Sequence, residues 1–268
     1  MSPRAKSRTA GWSFFLSADP GGLADPDGLA DPDGPGDLGG PGDQAGRPAT
    51  LWPPAPRPGA APGPPPEARA VFGSLLPAAE EYVRLLADAG VAKGLLGPRE
   101  VPRLWGRHVL NCAAVAELVP HPATLVDLGS GAGLPGVVLA LLLPDVEVTL
   151  LERMERRAAF LRDCVRMLGL PNATVRCARA EDLAGRLLAD VVTARAVAPM
   201  ERLAGMALGL VRPGGLVLAI KGTGAPSEIA KARPVLHRLG VRDATVLRVG
   251  GGKVDPAATV VRLIAGDH

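Results

Sequence analysis

The stretch "LVDLGSGAGLPG", residues 125–136, decides the fold. A short apolar run ends at Asp127, and glycines then follow at positions 129, 131 and 133. Glycine adopts positive φ at little cost and lets the backbone come close to a ligand. The pattern therefore predicts a buried strand that ends in a ligand-binding loop.

Strands and helices alternate on the C-terminal side of this loop. The predicted strands are 124–128, 146–151, 174–177, 190–193, 216–221, 244–249 and 258–264. The predicted helices between them are 135–143, 153–168, 182–188, 200–211 and 227–239. Buried strands joined by crossover helices predict an α/β fold with a mostly parallel sheet covered on both faces. The last two strands lack a helix between them, which predicts an antiparallel hairpin at one edge.

The first 66 residues differ from the rest of the chain. They contain 15 Pro and 12 Gly, a composition that cannot bury enough apolar surface to offset the entropy of ordering. We predict a disordered and dispensable extension over 1–66, and a folded domain over 67–268 that begins with a helical segment, 67–119. The folded part carries 25 basic and 20 acidic side chains, a modest excess that permits a nucleic-acid partner without requiring one.

Composition narrows the class further. Cys112, Cys164 and Cys177 form no CxxC pair and have no histidine at zinc-ligand spacing. We therefore expect three small core residues in a reducing, cytoplasmic protein, with no metal site. No stretch approaches the ~18 uncharged apolar residues of a membrane span, so we expect no membrane association.

Two ligands fit the glycine loop. The segment "GAGLPG" (131–136) matches the dinucleotide pattern GxGxxG, with Glu152 about 20 residues further on, where a ribose-binding acid is expected. This frame gives Gly129 no role. The longer frame "DLGSGAG" (127–133) suits S-adenosylmethionine, whose amino-acid end can contact a tight glycine loop. Glu152 then suits its ribose diol, and "ARAED" (178–182) suits its adenine.

Chain length favours the second ligand. A dehydrogenase needs a substrate domain beyond its nucleotide domain, whereas here the alternating unit already fills residues 124–264. A methyltransferase needs only one such domain with a small extension.

Further motifs add a specific resemblance. In order along the chain they are "RHVLNC", "VDLGSGAGLPGVVLA", "LLERMERRAAFLRDC", "ARAED", "TARAVAP" and "LVRPGGLVLAIKG". Over about residues 70–265 the chain resembles the RsmG (GidB) family, bacterial 16S ribosomal RNA (guanine-N7) methyltransferases, in their actinobacterial form. The resemblance implies a class I methyltransferase fold, Rossmann-like with seven strands, and S-adenosylmethionine as methyl donor.

The resemblance also implies site residues. The family's cofactor contacts fall on Gly129, Leu134, Ala180, Glu181 and Arg195, to which the glycine frame and the strand ends add Gly131 and Glu152. The candidate RNA contacts are Arg107, His108, Arg179 and Lys221. One departure is Asn111, where the family often has Asp.

The implied chemistry needs no catalytic acid or base. Guanine N7 has a free lone pair and no proton to lose, so placement of the base on the methyl group is the main task. We expect 16S rRNA, a small ribosomal subunit or an assembly intermediate as partner, and a monomeric enzyme. A small-molecule methyltransferase and a non-catalytic module that binds RNA or a nucleotide remain alternatives.

Overall fold

The computed structural model describes residues 61–267. The predicted extension therefore lies outside the described residues up to position 60. The last six residues of the predicted extension, 61–66, are described. The indole Nε1 of Trp105 donates a hydrogen bond to the Pro62 carbonyl at 2.8 Å. The chain from Pro62 onward thus contacts the folded unit before the first helix begins.

A seven-stranded sheet forms the centre of the fold. Its strands are β1 (Ala123–Leu128), β2 (Val146–Glu152), β3 (Ala173–Cys177), β4 (Ala189–Arg195), β5 (Val211–Lys221), β6 (Asp243–Val249) and β7 (Ala258–Ile264). Their order is β3-β2-β1-β4-β5-β7-β6, and only the two pairings of β7 are antiparallel. The predicted α/β fold and its edge hairpin are confirmed, with β7 inserted between β5 and β6.

Helices cover both faces of the sheet. They are α1 (Pro66–Phe72), α2 (Leu76–Leu85), α3 (Asn111–Ala113), α4 (Gly136–Leu142), α5 (Glu155–Leu168), α6 (Ala180–Leu183), α7 (Met200–Leu208) and α8 (Ala225–Arg238). Around α3 the chain is helical but irregular, with 3₁₀ turns over Pro98–Arg103 and Ala114–Leu118 and π turns over Leu86–Gly90 and Leu104–Leu110. We call residues 66–118 the N-terminal helical segment. It packs with α4 and α5 in one apolar cluster, while α7 and α8 pack in the other.

Three predicted features were wrong. The helix expected at 182–188 is the single turn α6, because Ala184 leaves the helical region and Gly185 turns away at φ +71°. The helix expected to reach residue 211 ends at Leu208, because Val211 already pairs with Ala189 of β4. Cys112 and Cys164 are buried as expected, but Cys177 is exposed at the end of β3.

Residues 61–267 contain no helix long and apolar enough to cross a membrane. The same range contains no cluster of three or more His, Cys, Asp or Glu side chains arranged to hold a metal ion.

Candidate active site

A cleft of about 260 Å³ lies at the carboxyl ends of β1, β2 and β4. From β1 the chain continues to β2 and β3 on one side of the sheet, and it then crosses back from β3 so that β4 pairs with β1 on the other side. Such a switch point is where open α/β sheets bind ligands. The lining residues are Leu128, Gly129, Leu151, Glu152, Arg153, Arg157, Ala178, Arg179, Ala180, Glu181, Ala196, Val197, Ala198, Arg202 and Met206.

The glycine loop reaches this cleft through its first residue, Gly129. Gly129, Gly131 and Gly133 have φ of +69°, +57° and +96°, a region that disfavours side chains. Gly129 lines the cleft, and a Cβ there would meet Val197 at 3.0 Å. The glycines are therefore required for the loop conformation itself. Gly131 and Leu134, also predicted to contact the cofactor, do not line the cleft, and their roles stay predictions.

Glu152 ends β2 and forms the floor of the cleft. Its side chain is 3% exposed, and its carboxylate accepts hydrogen bonds from the amides of Gly131 at 3.1 Å and Met154 at 2.9 Å. A carboxylate has about four acceptor positions, so two remain for a ligand. A buried carboxylate held rigidly in a cleft with acceptor capacity left over suits a vicinal diol.

Residues of the loop after β3 also line the cleft. The amide of Ala178 donates to the Glu152 carbonyl at 3.2 Å, which ties this loop to β2. Ala180 is buried, whereas Arg179 and Glu181 are exposed at the rim, with Arg179 Nε 3.8 Å from Glu181 Oε2. Ala180 and Glu181 therefore stand where the sequence predicts the adenine end of the cofactor.

Arg195 ends β4, but its guanidinium extends to the N-terminal helical segment. It donates to the Arg107 carbonyl at 3.2 Å, to His108 Nδ1 at 2.7 Å and to Cys112 Sγ at 3.3 Å. The next three residues, Ala196–Ala198, line the cleft, whereas Arg195 does not. Its predicted cofactor contact stays a prediction.

The remaining RNA candidates have contrasting surroundings. Arg107 is exposed and lies 3.6 Å from Glu100, whereas His108 is buried between Glu100 and Arg195. The Lys221 side chain is mostly buried, and its Nζ donates to the Ala198 carbonyl at 3.0 Å and to Glu228 at 2.7 Å. These contacts make Lys221 a support for the loop between β4 and α7, and its predicted RNA contact finds no support in them.

Four residues of the site were missed from the sequence. Arg153, Arg157 and Arg202 line the cleft, and the side chains of Arg153 and Arg202 have no partner within the described part of the chain. Tyr82, the chain's single tyrosine, donates from α2 to the Ala132 carbonyl at 2.8 Å and so fixes the glycine loop. The sequence shows that Tyr82 is the one tyrosine, but no motif near it indicates that α2 packs against the glycine loop.

Comparison with known proteins identifies the family of the chain. The family model for rRNA small subunit methyltransferase G, GidB, matches residues 75–255. Curated relatives named ribosomal RNA small subunit methyltransferase G include those of Thermobifida fusca (59% identical, covering 73% of this chain and 83% of the relative) and Streptomyces avermitilis (52%, covering 76% and 86%). A third, from Mycobacterium sp. strain JLS, is 51% identical over 74% of this chain and 89% of the relative. The chain therefore belongs to the rRNA small subunit methyltransferase G (GidB) family.

Proposed function

We propose that this enzyme transfers the methyl group of S-adenosylmethionine to N7 of one guanine in 16S rRNA. The observation that carries the proposal is the cleft itself, which is lined by the positive-φ Gly129, the buried Glu152 carboxylate and four arginines. Family membership supports an S-adenosylmethionine-dependent rRNA methyltransferase. The choice of guanine N7 is the finer part of the proposal.

The chain offers a partner for each part of the cofactor. Glu152 has two free acceptor positions for the ribose hydroxyls, and the backbone of the Gly129–Gly133 loop can meet the amino-acid end. Ala180 and Glu181 line the same cleft, and we assign them to the adenine. When bound, S-adenosylmethionine supplies an electrophilic methyl group on a positively charged sulfur.

Four arginines line the cleft and can hold the RNA: Arg153, Arg157, Arg179 and Arg202. Guanidinium groups bind phosphates and stack on unpaired bases, and a base must leave its stack to reach such a cleft. The chain has only 3% aromatic residues, so arginines are the available planar groups. We infer that these residues place guanine N7 in line with the methyl group, which is a task of orientation.

No residue of the cleft needs to act as a base. The lone pair of N7 is free at neutral pH, so proton removal does not limit the transfer.

We further propose that the enzyme acts in the cytoplasm as a monomer, on 16S rRNA within a small subunit or an assembly intermediate.

The test uses small-subunit rRNA from cells that lack the protein. Incubation with enzyme and cofactor should produce 7-methylguanosine, detected by nucleoside mass spectrometry. No other methylated nucleoside should form. Glu152→Gln should weaken binding of S-adenosylhomocysteine about tenfold or more, as expected for loss of a charged acceptor. Glu147→Gln, on the exposed part of β2, is the matched control and should bind normally.

The pH dependence tests the choice of N7. Single-turnover rates should stay flat between about pH 7 and pH 9, because no general base titrates. A rate that climbs about tenfold per pH unit and loses that dependence in His108→Ala would indicate base catalysis on another acceptor. Tight binding of S-adenosylhomocysteine without any methylated nucleoside would instead indicate a non-catalytic module.

A further inference from the structure

Glu100, His108 and Arg195 form a chain of hydrogen bonds between the N-terminal helical segment and the end of β4. His108 Nε2 lies 2.8 Å from Glu100 Oε2, and His108 Nδ1 lies 2.7 Å from Arg195 Nη2. His108 is 6% exposed. The chain therefore runs through a buried ring to the residue that directly precedes the cleft-lining loop Ala196–Ala198.

The two neighbours of His108 fix its protonation. A guanidinium can only donate, so Nδ1 must accept from Arg195, and an ionised carboxylate can only accept, so Nε2 must carry the proton. Burial, and then the charge of Arg195, lower the pKa of His108, and the bond to Glu100 opposes them. The bond from His108 in turn lowers the pKa of Glu100. The ring is thus neutral, with its proton on Nε2.

Arg195 keeps hydrogen-bonding capacity for a substrate. Of its five N–H groups, the three contacts to Arg107, His108 and Cys112 use three. Within residues 61–267 no carboxylate pairs with Arg195, and its Nε–H has no acceptor. A positive charge with free donors is therefore held at the end of β4, beside the cleft. Such a group donates hydrogen bonds to an oxygen of the target base or of its phosphate.

We propose that Glu100 is a positioning residue for Arg195 and acts through His108. By accepting the hydrogen bond from Nε2–H, Glu100 keeps the proton on Nε2 and Nδ1 free as an acceptor, and so holds the guanidinium in place for the RNA. The other tautomer would point an N–H at a guanidinium N–H and displace it. Glu100 also lies 3.6 Å from both Arg103 and Arg107, so a purely electrostatic role in this surface cluster is the competing explanation.

Spectroscopy of the full-length protein tests the arrangement without any assay of activity. In protein labelled with ¹⁵N-histidine, the signal that disappears in His108→Asn belongs to His108 and should show the Nε2–H tautomer at neutral pH. Glu100→Ala should shift this signal toward a mixture of tautomers. Glu100→Gln should restore the wild-type signal, because an amide oxygen can still accept from Nε2–H. An Nδ1–H tautomer in wild type, or identical signals in Glu100→Ala and wild type, would overturn the proposal.

Kinetics separate this role from an electrostatic one, and this second test rests on the proposed function. Glu100→Ala should lower kcat/KM for rRNA about tenfold, and Glu100→Gln should recover most of it. In an Arg195→Ala background, Glu100→Ala should cause less than about a twofold further loss, because the residue through which it acts is gone. Because the proposal assigns the Arg195 guanidinium to the RNA rather than to the cofactor, affinity for S-adenosylhomocysteine should not change in Glu100→Ala. A fall in that affinity as large as the fall in kcat/KM would assign Arg195 to the cofactor and overturn the proposal.

The controls keep the outcomes distinct. Glu81→Ala removes the partner of Arg84 in an exposed ion pair of α2 and should leave kcat/KM unchanged. If Glu100→Ala lowers the melting temperature, the activity of Glu100→Gln and the NMR signal of His108 still distinguish the positioning role from the electrostatic one. Equal losses in Glu100→Ala and Glu100→Gln, or full losses in the Arg195→Ala background, would favour the electrostatic explanation and overturn ours. Absence of 7-methylguanosine with wild-type enzyme would contradict the proposed function while leaving the spectroscopic result intact.

Discussion

Asp127 and Glu152 are both buried carboxylates at the ends of neighbouring strands, yet their surroundings differ. Asp127 is fully buried and accepts hydrogen bonds from the Gly136 amide at 3.0 Å and the Thr193 hydroxyl at 3.0 Å. Glu152 faces the cleft. The sequence predicts Glu152 as a ligand residue because of its place at a strand end. It cannot predict the direction of Arg195, because that depends on acceptors supplied by a distant helical segment.

Burial raises the pKa of Asp127 to about 6, and this gives a stability prediction. The folded-state pKa lies above the unfolded value of about 3.9, so the neutral form is favoured by folding and stability from this group is lost as pH rises through 6. Asp127→Asn can keep both bonds, with its oxygen accepting from Gly136 and its amide donating to Thr193. Relative to wild type, Asp127→Asn should gain on the order of 3 kcal/mol between about pH 4 and pH 7.5.

Urea unfolding at several pH values measures this difference. Comparison of the two proteins at each pH removes the contributions of other carboxylates, such as Asp190, whose pKa is lowered by its bond to the Thr124 amide. A constant difference across the range would show that Asp127 does not titrate there.

The glycine loop gives a graded prediction. A Cβ on Gly131 would meet only the Gly129 carbonyl at 3.8 Å, so Gly131→Ala should cost about 1 kcal/mol for its positive φ. A Cβ on Gly133 would lie 2.5 Å from Val137 and 2.8 Å from the Tyr82 hydroxyl. Gly133→Ala should therefore lower the free energy of unfolding by roughly 3 kcal/mol or more, as buried overpacking adds to strain. Equal costs for the two variants, measured by urea unfolding, would contradict this account of the loop.

Secondary-structure elements were predicted well where apolar periodicity is strong and less well elsewhere. All seven predicted strands are present, because burial between two helical layers imposes long apolar runs, but β5 begins at Val211 and not at 216. The turn at Ala184–Gly185 was missed, since glycine in a polar stretch can either sit in a helix or end it. The irregular turns over Pro98–Leu118 were also missed as such, because their form follows packing on the sheet rather than local propensity.

The link from α2 to the glycine loop gives an element-scale prediction. Tyr82 is fully buried, and Tyr82→Phe would leave the Ala132 carbonyl without its partner. Stability should fall by about 1–2 kcal/mol, and affinity for S-adenosylhomocysteine should fall several-fold because the loop is less firmly held. Trp105→Phe is the matched control, since it also removes one bond to a carbonyl but lies away from the loop. It should reduce stability alone; calorimetry that shows equal affinity losses would contradict the link.

At the scale of the molecule, the sequence predicts the excess of basic side chains in the folded part but not where they lie on its surface. The arginines at the cleft come from the loop after β2, α5, the loop after β3 and α7, segments that only the parallel sheet brings together. Composition alone also gives no sign that residues just before Glu67 contact the folded unit. Proline and glycine dominate up to residue 66, yet Pro62 and Pro65 already accept hydrogen bonds from the fold.

These contacts predict where the chain can be shortened. A protein that begins at Ala61 keeps the acceptor for the Trp105 indole and the Pro65 carbonyl, which accepts from the Ala68 and Arg69 amides at 3.0 Å and 3.4 Å. Its melting temperature and its affinity for S-adenosylhomocysteine should equal those of the full chain. A protein that begins at Glu67 leaves the buried indole N–H unpaired and should lose about 1–3 kcal/mol of stability. In a Trp105→Phe background most of that loss should vanish, because no indole donor remains. Equal melting temperatures for the Ala61 and Glu67 proteins would show that Pro62–Pro65 contribute nothing, and failure of the Ala61 protein to fold would show that the residues before it are required.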